Sequence, residues 1–382
     1  MHVALTVNYS PWSAYSGGAQ RSTHNLACAL ARSGHRVDVV YTRGAWEQVH
    51  PPKDLPYQVH WAKLAAMRSR ASSWLRPLSS FSVAAELQKL GADVVHANGE
   101  EAAVAAGHRE VFDGPFVVTP RYPSFPASMN DGSWRRPGAR LRHMILHGKY
   151  AALGYALAGA DRYCPTSRDS ASRLRRVFGL RPKRIRVVPN GVERVFFEHQ
   201  WQQPSSEQLL YFGRFAEEKG VLDLVEALGR LPDPPPAVFV GRGPALAQMR
   251  ARIEELGLTS RVTIRDWVSG PALCELIATS SQVVLPSWEE SFGNAIAEAM
   301  AVGAPIVTTN RGSIPELVSQ EKTALITFAQ APEGLARAIE RLRVDPTLAA
   351  SLAEAARHEA ETRFSWDRVA ASYADVYREI PA

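Results

Sequence analysis

Residues 2–42, HVALTVNYSPWSAYSGGAQRSTHNLACALARSGHRVDVVYT, decide the fold. HVALTV is an apolar strand. A loop ending in paired glycines follows, then a segment with helical spacing at Leu26, Ala29 and Leu30 that stops at Gly34. HRVDVVYT is the next strand. Strand, helix and strand with a glycine stop form a right-handed βαβ unit, so the sheet is predicted to be parallel. Short strand patterns recur at ADVVHA (92–97), PFVVTP (115–120), DRYCPT (161–166) and IRVVPN (185–190). This predicts a doubly wound α/β domain.

Residues 197–208, FEHQWQQPSSEQ, are polar and patternless and read as a linker. The alternation then restarts. LLYFGR (209–214), PAVFVGRG (236–243), RVTIRDWV, QVVLPS and PIVTTN read as strands, with amphipathic helices at 220–231 and 245–257. At 382 residues the chain exceeds one ordinary core. The prediction is two Rossmann-like domains, 1–197 and 198–364, facing a central cleft. Ligands of such sheets bind outside the carboxyl ends of the strands, so the loops there carry function.

The net charge of +6 conceals an asymmetry: residues 1–195 carry +14 and the remainder −8. A basic half suits an anionic partner, whether membrane phosphates, an acidic acceptor or nucleic acid; solvated surface charge accounts for it as well. Nucleic acid ranks last, because the charge is spread and no recognised module is present. Cys28, Cys164 and Cys274 are far apart and form no CxxC pair, which predicts reduced core thiols in a cytoplasmic protein. The first ten residues lack a basic, long-apolar leader pattern. No run of about 18 apolar residues marks a membrane span.

Five loops after strands are chemically informative. Gly17 and Gly18 precede a helix, where backbone N–H groups suit a phosphate, although a plain turn uses the same pair. In FGRFAEEKG (212–220), Arg214 and Lys219 suit a diphosphate, one as a planar fork and one as a point charge; pairing with Glu217 and Glu218 is the alternative. Gly241 and Gly243 in VGRGP mark either a close approach to a ligand or a tight turn. In PSWEESFGNAIAEAMAVGAPIVTTN (286–310), Glu290 precedes a helix that starts near Phe292–Gly293. Glu298 lies eight residues on, about 12 Å along the axis. That spacing matches two carboxylates gripping the sugar and the ribose of a nucleotide sugar, with N–H groups at 292–294 facing its phosphates. Last, Arg121 in TPRYPSF follows a strand end and is expected to face the cleft.

With these residues in view, the chain resembles the retaining glycosyltransferases of family 4, of GT-B architecture, over essentially its whole length. PSWEESFGNAIAEAMAVGAPIVTT matches the family's E-x7-E signature through Glu290 and Glu298. FGRFAEEKG matches its diphosphate clamp, and SGGAQRSTHNLACALARSGHRVDVVYT, VVPNGVE, VGRGP and GSIPELV match too. The resemblance implies a nucleotide sugar, UDP- or GDP-linked, as donor and co-substrate. No cofactor and no metal are expected, and the chain has no D-x-D pair. The implied catalytic group is Glu290, Arg214 and Lys219, and Arg121 joins it as an expectation from its place after a strand end. The implied donor-binding set is Gly17, Gly18, Gly213, Gly241, Gly243, Ser291, Phe292, Gly293, Asn294 and Glu298. His96 and Asn98 are placed in the acceptor or sugar pocket. A closing helix, 365–382, is expected to return to the first domain.

Two positions depart from the family pattern: Arg121 stands where a His is common, and Asn98 where a second His is common. SQEKTALIT also lacks the family's loop glycines. A UDP-sugar 2-epimerase, an isomerase of the same architecture, and a non-catalytic nucleotide-sugar binder are the competing readings. The segments 62–81 and 128–157 mix Trp, Leu, Met and Arg, which suits a lipid-linked or anionic acceptor and peripheral contact with the inner face of a membrane.

Overall fold

The computed structural model describes residues 1–64, 79–98, 112, 114–120 and 159–380. The chain divides into two compact units, Met1–Gly191 with Trp366–Ala382, and Val192–Ser365. Each is built on a six-stranded sheet in which every ladder is parallel.

In the first unit the strands are β1 His2–Val7, β2 Arg36–Arg43, β3 Gln58–Lys63, β4 Val94–Asn98, β5 Phe116–Thr119 and β6 Arg162–Tyr163, in the order β3-β2-β1-β4-β5-β6. Its described helices are α1 Gly18–Arg32, α2 Ser79–Leu90 and α3 Arg168–Phe178, joined by α12, Trp366–Arg378, from the far end of the sequence. Both faces of the sheet are covered, which is why its central strands read as apolar runs. Val3, Leu5, Val39 and Tyr41 pack with Leu26 and Leu30 of α1 and with Val369, Tyr373 and Tyr377 of α12. Ala4, Val40, Val95 and Phe116 pack with Val83 and Leu87 of α2. On the α2 side, at the amino ends of the strands, buried Asp38 is held between His2 Nε2 and His60 Nε2, each 2.5 Å from one carboxylate oxygen.

In the second unit the strands are β7 Leu209–Phe212, β8 Ala237–Val240, β9 Val262–Arg265, β10 Gln282–Leu285, β11 Ile306–Thr309 and β12 Leu325–Thr327, in the order β12-β11-β10-β7-β8-β9. Its helices are α4 Arg194–Glu198, α5 Val221–Gly229, α6 Leu246–Glu255, α7 Pro271–Thr279, α8 Asn294–Val302, α9 Ile314–Leu317, α10 Pro332–Val344 and α11 Pro346–Arg363. Ile296, Ala297, Met300 and Ala301 of α8 are buried in the core of this unit. Among the described residues no helix is long and apolar enough to cross a membrane.

Several sequence expectations change. IRVVPN is not a strand: Ile185 makes one isolated bridge to Tyr163. Pro165 and Pro189 lack the N–H groups a longer ladder would use. Conversely, β3 and β12 escaped the pattern reading. Both are sheet edges, where Gln58, His60 and Lys63 are tolerated and three residues suffice. The stretch read as a linker contains Trp201, which is buried and donates from Nε1 to the Ser280 carbonyl at 2.7 Å. The chain passes between units at Gly191–Val192 instead.

Candidate active site

In the second sheet, the chain order runs outward in both directions from the β10–β7 pair. The connection after β7 leads to β8 on one side and that after β10 leads to β11 on the other. Their opening loops, 213–220 and 286–293, therefore diverge at the topological switch point, where α/β sheets bind ligands.

Lys219 and Glu290 come from these two loops and meet there, Nζ to Oε1 at 2.6 Å. Both side chains are largely buried, 25% and 15% exposed, so the pair is partly shielded from solvent. The Ser287 hydroxyl donates to the same Oε1 at 2.8 Å. Arg214, more exposed, is paired with Glu218. Burial, with the nearby Glu290 charge, raises the pKa of the Tyr211 hydroxyl. The phenol stays protonated and donates to the Arg214 carbonyl at 3.0 Å.

The loops are locked main chain to main chain. Gly220 has φ 64°, and a Cβ there would overlap the Pro286 carbonyl oxygen. The Trp288 N–H donates to the Glu218 carbonyl at 2.9 Å, and its indole N–H to Asp223 Oδ2 at 2.5 Å. Burial raises the Asp223 carboxyl even though Trp288 donates to it. From the loop after β11, the Ser313 N–H and hydroxyl donate to the Glu290 carbonyl at 3.0 and 3.1 Å, and that hydroxyl also donates to the Phe292 carbonyl at 2.9 Å. Gly312, at φ 58°, lies against the Glu290 main chain.

Helix α8 starts beside Glu290 with Gly293, at φ 96°, as its N-cap. Its first turn presents N–H groups at the positive end of the helix dipole. Ser291 and Asn294 sit half-buried at this start. The Phe292 side chain instead packs edge-on against Phe364, with ring centroids 5.6 Å apart. Only its main chain is left to serve a ligand. Glu298 is half-buried one turn along α8. Its charge acts on Cys274 of α7: burial first, then Glu298, push that thiol up to about 11.

The glycine-rich loop after β8 fits differently from its sequence reading. A Cβ at Gly241 would overlap the Gly213 carbonyl, and one at Gly243 the Phe215 carbonyl. The close approach is between two protein loops. The N–H of Gly213 is spent on the Val240 carbonyl at 3.0 Å.

In the first unit the corresponding switch point lies between β1 and β4. Gly17 caps α1 there and Gly18 is its first residue; the Gln20 side chain accepts from the Gly17 N–H at 2.9 Å. Asn98 ends β4 and is 1% exposed. His96 does not open into a pocket. It has no exposed surface, with Nδ1 2.6 Å from the Tyr377 hydroxyl and Nε2 2.7 Å from the Thr119 hydroxyl. Tyr373 closes the network 3.0 Å from Thr119. This histidine fastens α12 to the sheet. Arg121 and the segments 65–78 and 128–157 lie outside the described residues. Among the described residues, no three His, Cys, Asp or Glu side chains converge as metal ligands.

Sequence reasoning missed Ser287, Gly312 and Ser313. GSIPELV was visible as a motif, but its grip on Glu290 spans 22 or more residues and leaves no local pattern.

Two family models match the chain in series. The model described as Glycosyltransferase Family 4 matches residues 16–195, and that described as Glycosyl transferases group 1 matches residues 194–359. The glycogen synthase of Mycobacterium tuberculosis (strain ATCC 25618 / H37Rv) is 28% identical over 385 residues, spanning 94% of this chain and 91% of that protein. A D-inositol 3-phosphate glycosyltransferase of Paenarthrobacter aurescens (strain TC1) is 28% identical over 97% of this chain and 94% of its own length. Among solved structures, the sucrose-phosphate synthase of Thermosynechococcus elongatus superposes with a TM-score of 0.84 at 22% identity, over 99% of this chain and 98% of that one. Anabaena HepE in complex with UDP-glucose superposes with a TM-score of 0.76 at 19% identity over the full length of both. These likenesses carry the GT-B fold. With the two family models together covering residues 16–359, the chain belongs to the glycosyltransferases of the family 4 type.

Proposed function

We propose that the protein moves a sugar from a nucleoside-diphosphate sugar to an acceptor hydroxyl, with retention at the anomeric carbon and without a metal. The observation that carries this is the meeting of Lys219 and Glu290 at the switch point, beside the start of α8. Each of the two cations lies on a carboxylate, Arg214 on Glu218 and Lys219 on Glu290. A diphosphate is the stronger anion and competes for both. In this reading Arg214, Lys219 and the α8 N–H groups neutralise the charge that develops on the leaving phosphate. Glu290 accepts from hydroxyls of the transferred sugar, and Glu298 from the ribose. Gly17, Gly18, Arg121 and Asn98 remain proposed ligand contacts.

HepE was solved with UDP-glucose, so uridine nucleotides are the first to try, and guanosine nucleotides next. The relatives' names differ, glycogen in one and D-inositol 3-phosphate in the other, so the acceptor is read from this chain instead. Arg175, Arg176, Arg181 and Lys183, on and just after α3, are all exposed and close in sequence. They favour an anionic or lipid-linked acceptor met by a cytoplasmic enzyme at the inner face of a membrane. Flotation with anionic vesicles tests that contact, and no enrichment over neutral vesicles sinks it.

The test of the activity is a thermal-shift panel of UDP, GDP, ADP, TDP and their sugars on wild type and Glu298→Ala. Stabilisation by one nucleotide, lost in the variant, supports the site. Release of nucleoside diphosphate that depends on acceptor then marks a transferase. Turnover without acceptor marks an isomerase or hydrolase, and binding without turnover marks a binding protein.

A further inference from the structure

We propose that Ser287 is a positioning residue for the donor sugar: its hydroxyl keeps hold of one Glu290 oxygen while the other meets the sugar. This rests on the nucleotide-sugar reading above. Lys219 Nζ and Ser287 Oγ both lie on Oε1 of Glu290, at 2.6 and 2.8 Å. The two donors differ in kind. Lysine is a point charge on a flexible four-carbon stem and turns readily to a second anion. The serine hydroxyl is separated from a fixed backbone by a single rotatable bond. Ser287 is 5% exposed, and its carbonyl accepts the Thr309 hydroxyl.

When a diphosphate draws Lys219 away, the carboxylate loses one of these two donors. The Ser287 hydroxyl remains and holds Oε1, leaving Oε2 directed at the ligand. Without that hydroxyl the carboxylate turns about its side-chain bonds and must be ordered again by each incoming sugar. The hydroxyl is not needed to hold the loop itself, because Ser313, Gly312 and Gly220 already fix the main chain. A positioning role therefore separates from a scaffolding one.

The experiment is calorimetric titration of UDP and UDP-glucose into wild type, Ser287→Ala and Ser287→Thr, with GDP and GDP-mannose, then ADP and ADP-glucose, as further pairs. The unliganded Tm of each variant is measured alongside. Ser287→Ala is expected to weaken the sugar-bearing ligand by about fivefold or more and to leave the diphosphate within about twofold, at little cost in Tm. Ser287→Thr, which keeps the hydroxyl, restores the sugar-bearing ligand. An equal loss for both ligands, or no loss for either, overturns the positioning role. Failure of wild type to bind any pair is a different result: it overturns the nucleotide-sugar reading and this inference with it.

Discussion

Lys219 is the residue on which the site's charge balance turns. Its ammonium satisfies the largely buried Glu290, yet the proposed chemistry requires it to serve a phosphate as well. Lys219→Ala removes both services. It is expected to weaken nucleoside-diphosphate binding by about 10- to 150-fold, the worth of a charge-assisted hydrogen bond, and to cost about 1–3 kcal/mol of stability. Titration and urea unfolding measure the two effects, and unchanged diphosphate affinity would exclude Lys219 from the site. Asp38, in the first unit, carries a separate prediction. Burial alone would raise its carboxyl, but the hydrogen bonds and charges of His60 and His2 outweigh burial and hold it below its ordinary 3.8. A carboxyl depressed in the folded state contributes stability that is full above the unfolded value and is lost as pH falls through the folded one. Asp38→Asn is therefore expected to cost about 1–3 kcal/mol at pH 7, a gap that narrows below about pH 4. Melting curves from pH 7 to pH 3 check this, and a gap independent of pH sinks it.

At the scale of elements, the site depends on loops pressed together until no side chain fits between them. Gly312→Ala forces a Cβ into the Glu290 carbonyl and strains a φ of 58°. The expected cost is about 2–3 kcal/mol, with loss of nucleotide-sugar binding. Gly179→Ala is the control: its φ is 64°, but nothing lies within 4 Å of the new Cβ, so about 1 kcal/mol is expected and the ligand still binds. Equal effects of the two substitutions would show that backbone strain, not the clamp on Glu290, governs the first. The same contrast explains what could be read in advance. The βαβ opening and α8 announce themselves because their signals are local: apolar periodicity, Gly34 and Gly293. Arg214, Lys219 and Glu290 stand out as charges in the loops after strands, and Glu298 as an acid flanked by Ala297, Ala299 and Met300 in an apolar helix. Edge strands β3 and β12 do not, since an edge asks little of its residues. His96 looked like a pocket residue because its partners, Tyr373 and Tyr377, lie more than 270 positions away. Gly241 looked like a ligand contact because its neighbour, the Gly213 carbonyl, is long-range too.

At the scale of the molecule, α12 belongs by sequence to one end of the chain and by packing to the other unit's strands. Trp366, Val369, Tyr373, Val376, Tyr377 and Ile380 are all at least nine-tenths buried in the first core. At about 1.5–3 kcal/mol each, their burial rivals the whole stability of a typical domain. A chain truncated after Ser365 is expected to lose the unfolding transition of the first unit and to retain that of Val192–Ser365. Scanning calorimetry with limited proteolysis checks this, and survival of both transitions refutes it. The same return of the chain sets a timetable on the ribosome. The first 191 residues are made early but cannot close their core until α12 is made. The 174 residues of the second unit come between. At about 5–20 residues per second, the N-terminal half waits roughly 10–35 s with an apolar face uncovered. In a nascent chain the later half is therefore the first to finish, and the earlier half is the natural client of a chaperone.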